Sequence, residues 1–158
     1  MRRAVFPGSF DPFTRGHENV VRRGLLLFDE IVVALGKHSE KRGMFSMDER
    51  LAFIEATFQD EPRVKVDAYE GLTSSYCLNA GACAMLRGVR NAQDLAYEQT
   101  IAQMTRAMVP SLDTVILLTD AEFAPIHSTV VRDVLTHGGD ASAFLPRAVC
   151  RMMTENNS

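Results

Sequence analysis

Cysteine is scarce in this chain of 158 residues: Cys77, Cys83 and Cys150 are odd in number, and no two stand in a Cys-x-x-Cys spacing. That excludes a disulfide framework and a thiolate zinc site, and it fits a reducing, cytoplasmic setting. Long apolar runs are missing too. No stretch approaches the roughly 20 apolar residues that span a bilayer, and Met1-Arg2-Arg3 leads into an apolar segment too short for a secretory signal. Positive charge is not in excess. With 17 Lys and Arg against 20 Asp and Glu, the formal net charge is -3, so no global field draws the chain to nucleic acid or membrane. Any phosphate site must be built locally. Internal repeats, low-complexity segments and Pro/Gly-rich tracts are absent as well. What remains is an ordinary globular composition, 46% hydrophobic and 23% charged, at a length that suits one domain. Only Glu155-Asn156-Asn157-Ser158 reads as a frayed end.

Strand-like and helix-like segments alternate. Ala4-Val5-Phe6 reads as a strand ended by Pro7-Gly8, and a helix beginning near Gly16 carries Val20, Val21, Gly24, Leu27 and Phe28 on one face. Ile31 to Leu35 is a continuous, β-branched apolar run, the pattern of a strand covered on both faces. Ser46 and Glu49 form a capping box that starts a helix from Met47 to Phe58, which Glu61-Pro62 stops. Val64 to Ala68 alternates like a strand, Leu72 to Asn79 suits a helix, and Ala82 to Leu86 is another buried strand. A long helix over Ala92 to Met108, a fifth strand over Thr114 to Leu118 and a helix over Ser128 to Leu135 follow, the last closed by Gly138-Gly139. Pro146 suits the first turn of a terminal helix. Such alternation is the mark of an α/β domain with a parallel sheet.

Four segments set chemistry-bearing residues at carboxyl ends of strands or at helix starts, where ligands sit in such folds. The first is Pro7-Gly8-Ser9-Phe10-Asp11-Pro12-Phe13-Thr14-Arg15-Gly16-His17. Here Gly16 allows backbone to approach a ligand, the helix amino terminus offers free amides, and His17 can donate to a phosphate oxygen. As local structure alone it is a helix entrance with a capping histidine. The second, Lys37-His38-Ser39-Glu40-Lys41-Arg42-Gly43, gathers charge, although charged loops are usually only solvated. In the third, Leu86-Arg87-Gly88-Val89-Arg90, two guanidinium groups stand three positions apart, each a rigid multidentate fork for phosphate. Asp94 and Glu98, four apart on the next helix, read by themselves as a solvated acidic stripe. The fourth is Ile126-His127-Ser128-Thr129-Val130-Val131-Arg132, whose hydroxyls and amides suit phosphates and serve equally as plain helix caps.

The first segment resembles the leading motif of the Thr/His-x-Gly-His nucleotidyltransferases. Its fuller form, Pro-Gly-Ser/Thr-Phe-Asp-Pro, is similar to the bacterial phosphopantetheine adenylyltransferase family. Lys41 with Met44-Phe45 and Glu49-Arg50, then Arg87-Gly88-Val89-Arg90, then Ser128-Thr129 with Arg132 extend that resemblance in family order over nearly the whole chain. It implies a Rossmann-like, doubly wound domain with a five-stranded parallel sheet. It also implies that His17 steadies the α-phosphate of ATP in the transition state, and that Ser9, with Phe10, touches both substrates. Lys41, Thr73 and Arg87 would hold phosphopantetheine. Gly88, Val89, Arg90 and Glu98 would contact ATP, as would Phe123, Ala124, Pro125, Ile126, His127, Ser128 and Thr129. His127 stands where the family usually has serine, and Glu122-Phe123-Ala124-Pro125 departs from its aromatic-serine-phenylalanine run.

The implied reaction transfers the adenylyl group of ATP to 4'-phosphopantetheine, giving dephospho-coenzyme A and pyrophosphate. Mg²⁺ would arrive with ATP, and no protein metal site is expected. The resemblance further implies a homo-oligomer, typically a hexamer, and feedback binding of coenzyme A at the active site. A relative using nicotinate mononucleotide, glycerol 3-phosphate or flavin mononucleotide is disfavoured by Lys41 with the Arg87-to-Arg90 cluster. A nucleotide sensor without turnover is disfavoured by the intact Ser9, His17, Lys41, Arg87 and Arg90. A fragment of a class I aminoacyl-tRNA synthetase would need an anticodon-binding extension and more positive charge.

Overall fold

The computed structural model describes residues 1–37 and 43–157, and in them strands and helices alternate. β1 (Arg3–Gly8) leads to α1 (Arg15–Gly24), β2 (Glu30–Gly36), α2 (Met47–Thr57), β3 (Val64–Tyr69), α3 (Thr73–Asn79) and β4 (Ala84–Val89). α4 (Ala92–Met108), β5 (Asp113–Leu118), α5 (Ser128–Thr136) and α6 (Arg147–Asn156) complete the order. The five strands form one parallel sheet in the order β3-β2-β1-β4-β5, a Rossmann-like doubly wound arrangement.

Side chains of the inner strands alternate between two buried faces, as the period of a strand requires. In β2, Ile31, Val33 and Leu35 pack with Val20 and Val21 of α1 and Ile54 of α2, while Val32 and Ala34 pack with Cys77 of α3 and with Leu112. β1 and β4 divide in the same way, with Phe6 and Leu86 on the first face and Val5 and Met85 on the second. A third cluster joins Phe53 of α2 to Val131 of α5 and to Leu145 and Val149 around the start of α6. Each buried Val, Leu, Ile, Phe or Met side chain among these contributes on the order of 1.5–3 kcal/mol by leaving water. Among the described residues no helix is long and apolar enough to cross a membrane.

The Ser46–Glu49 capping box forms as the spacing predicts, with Ser46 Oγ accepting the Glu49 amide at 3.1 Å and Glu49 accepting the Ser46 amide at 3.2 Å. α4 covers the expected residues. Other expectations need correction. Leu27 is 44% exposed, because α1 ends at Gly24 and the chain turns before Leu27 can reach the core. β4 begins at Ala84, two residues later than expected, and runs on through Gly88 to Val89. Pro146 caps α6 from outside its first turn, and the helix continues through Glu155 and Asn156, into the segment read as frayed.

Pro7 and Gly8 do not end β1; they lie inside it, and they explain where the sheet opens. β1 follows β2 along its whole length, from Arg3 opposite Glu30 to Gly8 opposite Leu35. Toward β4 it pairs only at Ala4 with Ala84 and Val5 with Met85. Proline has no amide hydrogen to give a neighbouring strand, so β1 and β4 part near Pro7. This is also where the strand order reverses, the switch point at which open α/β sheets bind ligands.

α1 packs tightly beside this opening. A β-carbon added at Gly88 would lie 2.7 Å from Val20 Cγ2, and valine on a helix has little rotamer freedom with which to yield. Gly88→Ala should therefore destabilise the fold by about 1–3 kcal/mol, as overpacked cores do. A urea unfolding midpoint equal to that of the wild type would contradict this packing account.

Candidate active site

A cavity of about 330 Å³ opens at the parting of β1 and β4. Its walls come from the β1–α1 loop, the end of β4 with the start of α4, and the β5–α5 loop. The volume lies at the small end of the range for ligand sites.

His17 is placed by the local chemistry of the α1 start. Thr14 is the N-cap: its hydroxyl accepts the His17 amide at 3.4 Å, while His17 Nδ1 accepts the Thr14 amide at 3.0 Å. This is a capping box with histidine in the place usually taken by Glu or Gln. Since Nδ1 accepts, the neutral ring carries its proton on Nε2. Phe10 and Phe13 pack about the ring, with centroids 5.0 and 5.4 Å away. Burial in that aromatic setting, aided by the charges of Arg87, Arg90 and His127, pushes the pKa of His17 from 6.5 down to about 3. His17 is thus a neutral hydrogen-bond donor at neutral pH, with its basic nitrogen already engaged.

Two arginines flank it, each oriented by a carboxylate of α4. Arg87 makes a bidentate pair with Glu98 at 2.7 and 2.8 Å and donates to the Pro7 carbonyl at 2.5 Å, bridging the parted strands. Arg90 pairs with Asp94 at 2.9 and 3.2 Å, and its backbone amide donates to the same carboxylate. Burial alone would raise the Asp94 pKa, but the hydrogen bonds from Arg90 hold it below the ordinary carboxylate value. Glu98, read as part of a solvated stripe, is only 6% exposed. A carboxylate this deep needs a partner, and Arg87 supplies one with matching fork geometry.

The β1–α1 loop is pinned from three directions. Asp11 accepts the amides of Met44 and Phe45 at 2.8 and 2.9 Å, Arg50 donates to the Ser9 carbonyl at 2.8 Å, and Arg132 donates to the Asp11 carbonyl at 2.9 Å. Phe10 is held with φ at +47°, a left-handed conformation costly for an aromatic residue and one that persists where its surroundings impose it. Its ring lies over Gly8, where an added β-carbon would meet it at 2.8 Å. Gly16 is different: a β-carbon there would find only ordinary contacts, 3.5 Å from Thr14 Oγ1 and 3.8 Å from the Phe123 carbonyl.

Of the residues singled out in the sequence, Ser9, Phe10, His17, Arg87, Gly88, Arg90, Glu98, Phe123, Ile126, His127 and Ser128 line this cavity. Val89, Thr73, Ala124, Pro125 and Thr129 do not. Val89 is buried in the sheet, and the Thr73 hydroxyl pairs with that of Tyr69 at 2.7 Å. Lys41 lies outside the described residues. At the start of α5, His127 Nδ1 accepts the Thr129 amide at 3.2 Å, so the histidine that stands in a serine position still caps the helix. Asp11 and Thr119 also line the cavity, and Arg50 reaches the loop from outside it; Asp11 and Arg50 belong to the motifs of the resemblance without an assigned role, and Thr119 lies in no motif.

Comparison with known proteins adds a family. Residues 5–134 match the model of the cytidylyltransferase-like family. The phosphopantetheine adenylyltransferase of Flavobacterium johnsoniae is 51% identical over 149 residues, covering 94% of this chain and 97% of that protein. The enzyme of the same name from Flavobacterium psychrophilum is 48% identical, covering 94% and 98%. Among solved structures, a bifunctional NMN adenylyltransferase/ADP ribose pyrophosphatase from Francisella tularensis shares the fold with a TM-score of 0.73. That match is at 15% identity and covers 93% of this chain and 45% of the other.

The geometry of His17 makes its protonation state measurable. Nitrogen NMR shifts should show the Nε2–H tautomer from about pH 5 to pH 8, with the imidazolium appearing only near the depressed value of about 3. A pKa lower in the folded than in the unfolded protein means that the unfolded chain binds more protons between the two values, so His17 should take away stability progressively as pH falls from 6.5 to about 3, with the full penalty persisting below. An imidazolium at His17 above about pH 5 would contradict the assignment.

Proposed function

The chain belongs to the cytidylyltransferase-like family and, within it, to the phosphopantetheine adenylyltransferases, and from that premise we propose how this cavity carries out the reaction. The enzyme transfers the adenylyl group of ATP to 4'-phosphopantetheine and releases pyrophosphate, giving dephospho-coenzyme A. A terminal phosphate oxygen of phosphopantetheine attacks the α-phosphorus, and the bond to the bridging oxygen of pyrophosphate breaks. The nucleophile is already ionised near neutral pH, so no general base is required. The protein contributes position and stabilisation of developing charge.

The observation that carries this reading is the neutral His17, which has Nδ1 engaged by the Thr14 amide and lines a cavity bordered by two carboxylate-held guanidinium groups. We assign Nε2–H of His17 to an α-phosphate oxygen, where charge builds as the new bond forms. Arg90 and the start of α5, with Ser128 and Thr129, are assigned to the β- and γ-phosphates, which suit a helix amino terminus. The backbone at Gly88, with Val89 behind it, and the wall residues Phe123 and Ile126, with Ala124 and Pro125 in the turn between them, are assigned to the nucleoside, and His127 to the polyphosphate side. Arg87, Ser9, Lys41 and Thr73 are assigned to phosphopantetheine. Glu98 serves by orienting Arg87.

Mg²⁺ is proposed to enter on the phosphates of ATP. As a hard cation it would be ligated largely by phosphate oxygens and water. Self-association, in the hexameric form implied by the family, is supported by α4. Its inner side is anchored through Glu98 and Thr105, yet Leu95, Tyr97, Met104 and Met108 are exposed along it, more apolar surface than a solvated helix normally shows. Coenzyme A shares the phosphopantetheine group and is proposed as a competing ligand of the same cavity. The free thiols Cys77, Cys83 and Cys150 support a cytoplasmic location.

Pyrophosphate release with Mg-ATP tests the reading when 4'-phosphopantetheine is compared with nicotinate mononucleotide and glycerol 3-phosphate. Release with phosphopantetheine alone, with dephospho-coenzyme A detected by mass, is the expected result; silence with all three despite ATP binding would overturn it. Lys41→Ala should raise the Michaelis constant for phosphopantetheine by about tenfold or more and leave that for ATP nearly unchanged. An unchanged value for both would remove Lys41 from the acceptor site.

A further inference from the structure

The β5–α5 loop, which supplies Thr119, Phe123, Ile126 and His127 to the cavity, is seated on α1 by residues spaced four apart along that helix. Arg15, Asn19 and Arg23 form this stripe, since positions four apart share a helix face. The Arg15 guanidinium lies over the Phe123 ring, 5.1 Å from its centroid. Asn19 exchanges two hydrogen bonds with Asp120: its Nδ2 donates to Asp120 Oδ2 at 2.8 Å, and its Oδ1 accepts the Asp120 amide at 3.2 Å. Arg23 pairs with the other carboxylate oxygen at 3.4 Å and donates to the Leu118 carbonyl.

Asp120 is the knot of this loop. Its carbonyl accepts the amides of Phe123, at 2.9 Å, and Ala124, at 3.1 Å, so its place sets the turn that carries the Phe123 ring. Every polar group of Asp120 is therefore engaged, on one side by the loop and on the other by α1. The same helix carries His17 two residues before Asn19, so one rigid element fixes both the donor assigned to the α-phosphate and the wall assigned to the nucleoside. Asn19 suits this task because its amide gives and takes a hydrogen bond at once.

We propose that Asn19 is a positioning residue for the nucleotide, acting through Asp120 to hold the β5–α5 loop in register with His17. This deepens the functional reading above and rests on its assignment of that loop to ATP. Loss of the clamp lets the loop move relative to α1 and weakens ATP without touching the acceptor. The charge pattern provides a strict control. Asn19→Asp sets two carboxylates against each other, whereas the double variant Asn19→Asp with Asp120→Asn restores one acceptor and one donor in exchanged places, with Arg23 still beside a carboxylate.

The experiment is steady-state kinetics of the full chain with ATP and 4'-phosphopantetheine varied separately, alongside thermal unfolding. Asn19→Ala should raise the Michaelis constant for ATP by about five- to twentyfold, with that for phosphopantetheine within about twofold. Asn19→Asp should be worse, and the exchanged double variant should recover to within about threefold of wild type. An unchanged constant for ATP in both single variants would overturn the proposal. So would equal rises for both substrates that follow the loss of thermal stability and are not rescued by the exchange. If the wild type binds ATP without turning over phosphopantetheine, the functional reading fails, and the same comparison made in ATP dissociation constants by calorimetry still decides the clamp.

Discussion

β1 and β4 pair at only Ala4 with Ala84 and Val5 with Met85 before they separate, and the site is built around that gap. A parted pair of parallel strands leaves backbone polar groups without ladder partners, which cannot simply be buried. Arg87 resolves the problem by donating to the Pro7 carbonyl from across the gap, and Glu98 holds the guanidinium in place with both carboxylate oxygens. The cation assigned to substrate is thus also the bridge that keeps the opening in shape. Removing Glu98 would leave a partly buried arginine without its counter-charge, and truncating one partner of such a pair is costly.

The electrostatics follow one pattern. Charges brought to the cavity from the sheet come with their own carboxylates from α4, Glu98 for Arg87 and Asp94 for Arg90. Each arginine keeps donors beyond those in use, because a guanidinium has five. The one imidazole at the bottom of the first loop is kept neutral by its aromatic neighbours and by these same arginines. A neutral donor attracts a ground-state phosphate less strongly than an imidazolium would, and in the proposed role its hydrogen bond would strengthen as charge grows on the α-phosphate. Interactions that strengthen only in the transition state are the ones that raise turnover.

Much of this was legible in the sequence. The alternation of apolar runs with helix-period segments identified the α/β architecture, the Ser46–Glu49 spacing marked the start of α2, and the motifs around His17, Arg87 and Ser128 pointed to the residues that now share one cavity. What escaped were partnerships across long sequence separations and elements that break a local rule. Pro7 reads as a strand terminator and yet sits inside β1, because the β4 side needs no amide from it. Glu98 reads as a surface acid, since nothing local reveals the fork of Arg87 beneath it. Asn19 and Asp120 are 101 positions apart, and only the docking of the β5–α5 loop on α1 makes them a pair. The capping role of His17 was visible, but its consequence for the tautomer requires the contact between Nδ1 and the Thr14 amide.

The proposed role of His17 is that of a neutral donor whose worth appears in the transition state. The most direct test compares His17→Ala with wild type in single-turnover rate and in ATP dissociation constant, measured on the same preparations. A rate depressed by more than about tenfold, with ATP binding changed by less than about threefold, is the predicted result. A loss of ATP affinity that accounts for the whole defect, with the rate at saturation intact, would contradict it.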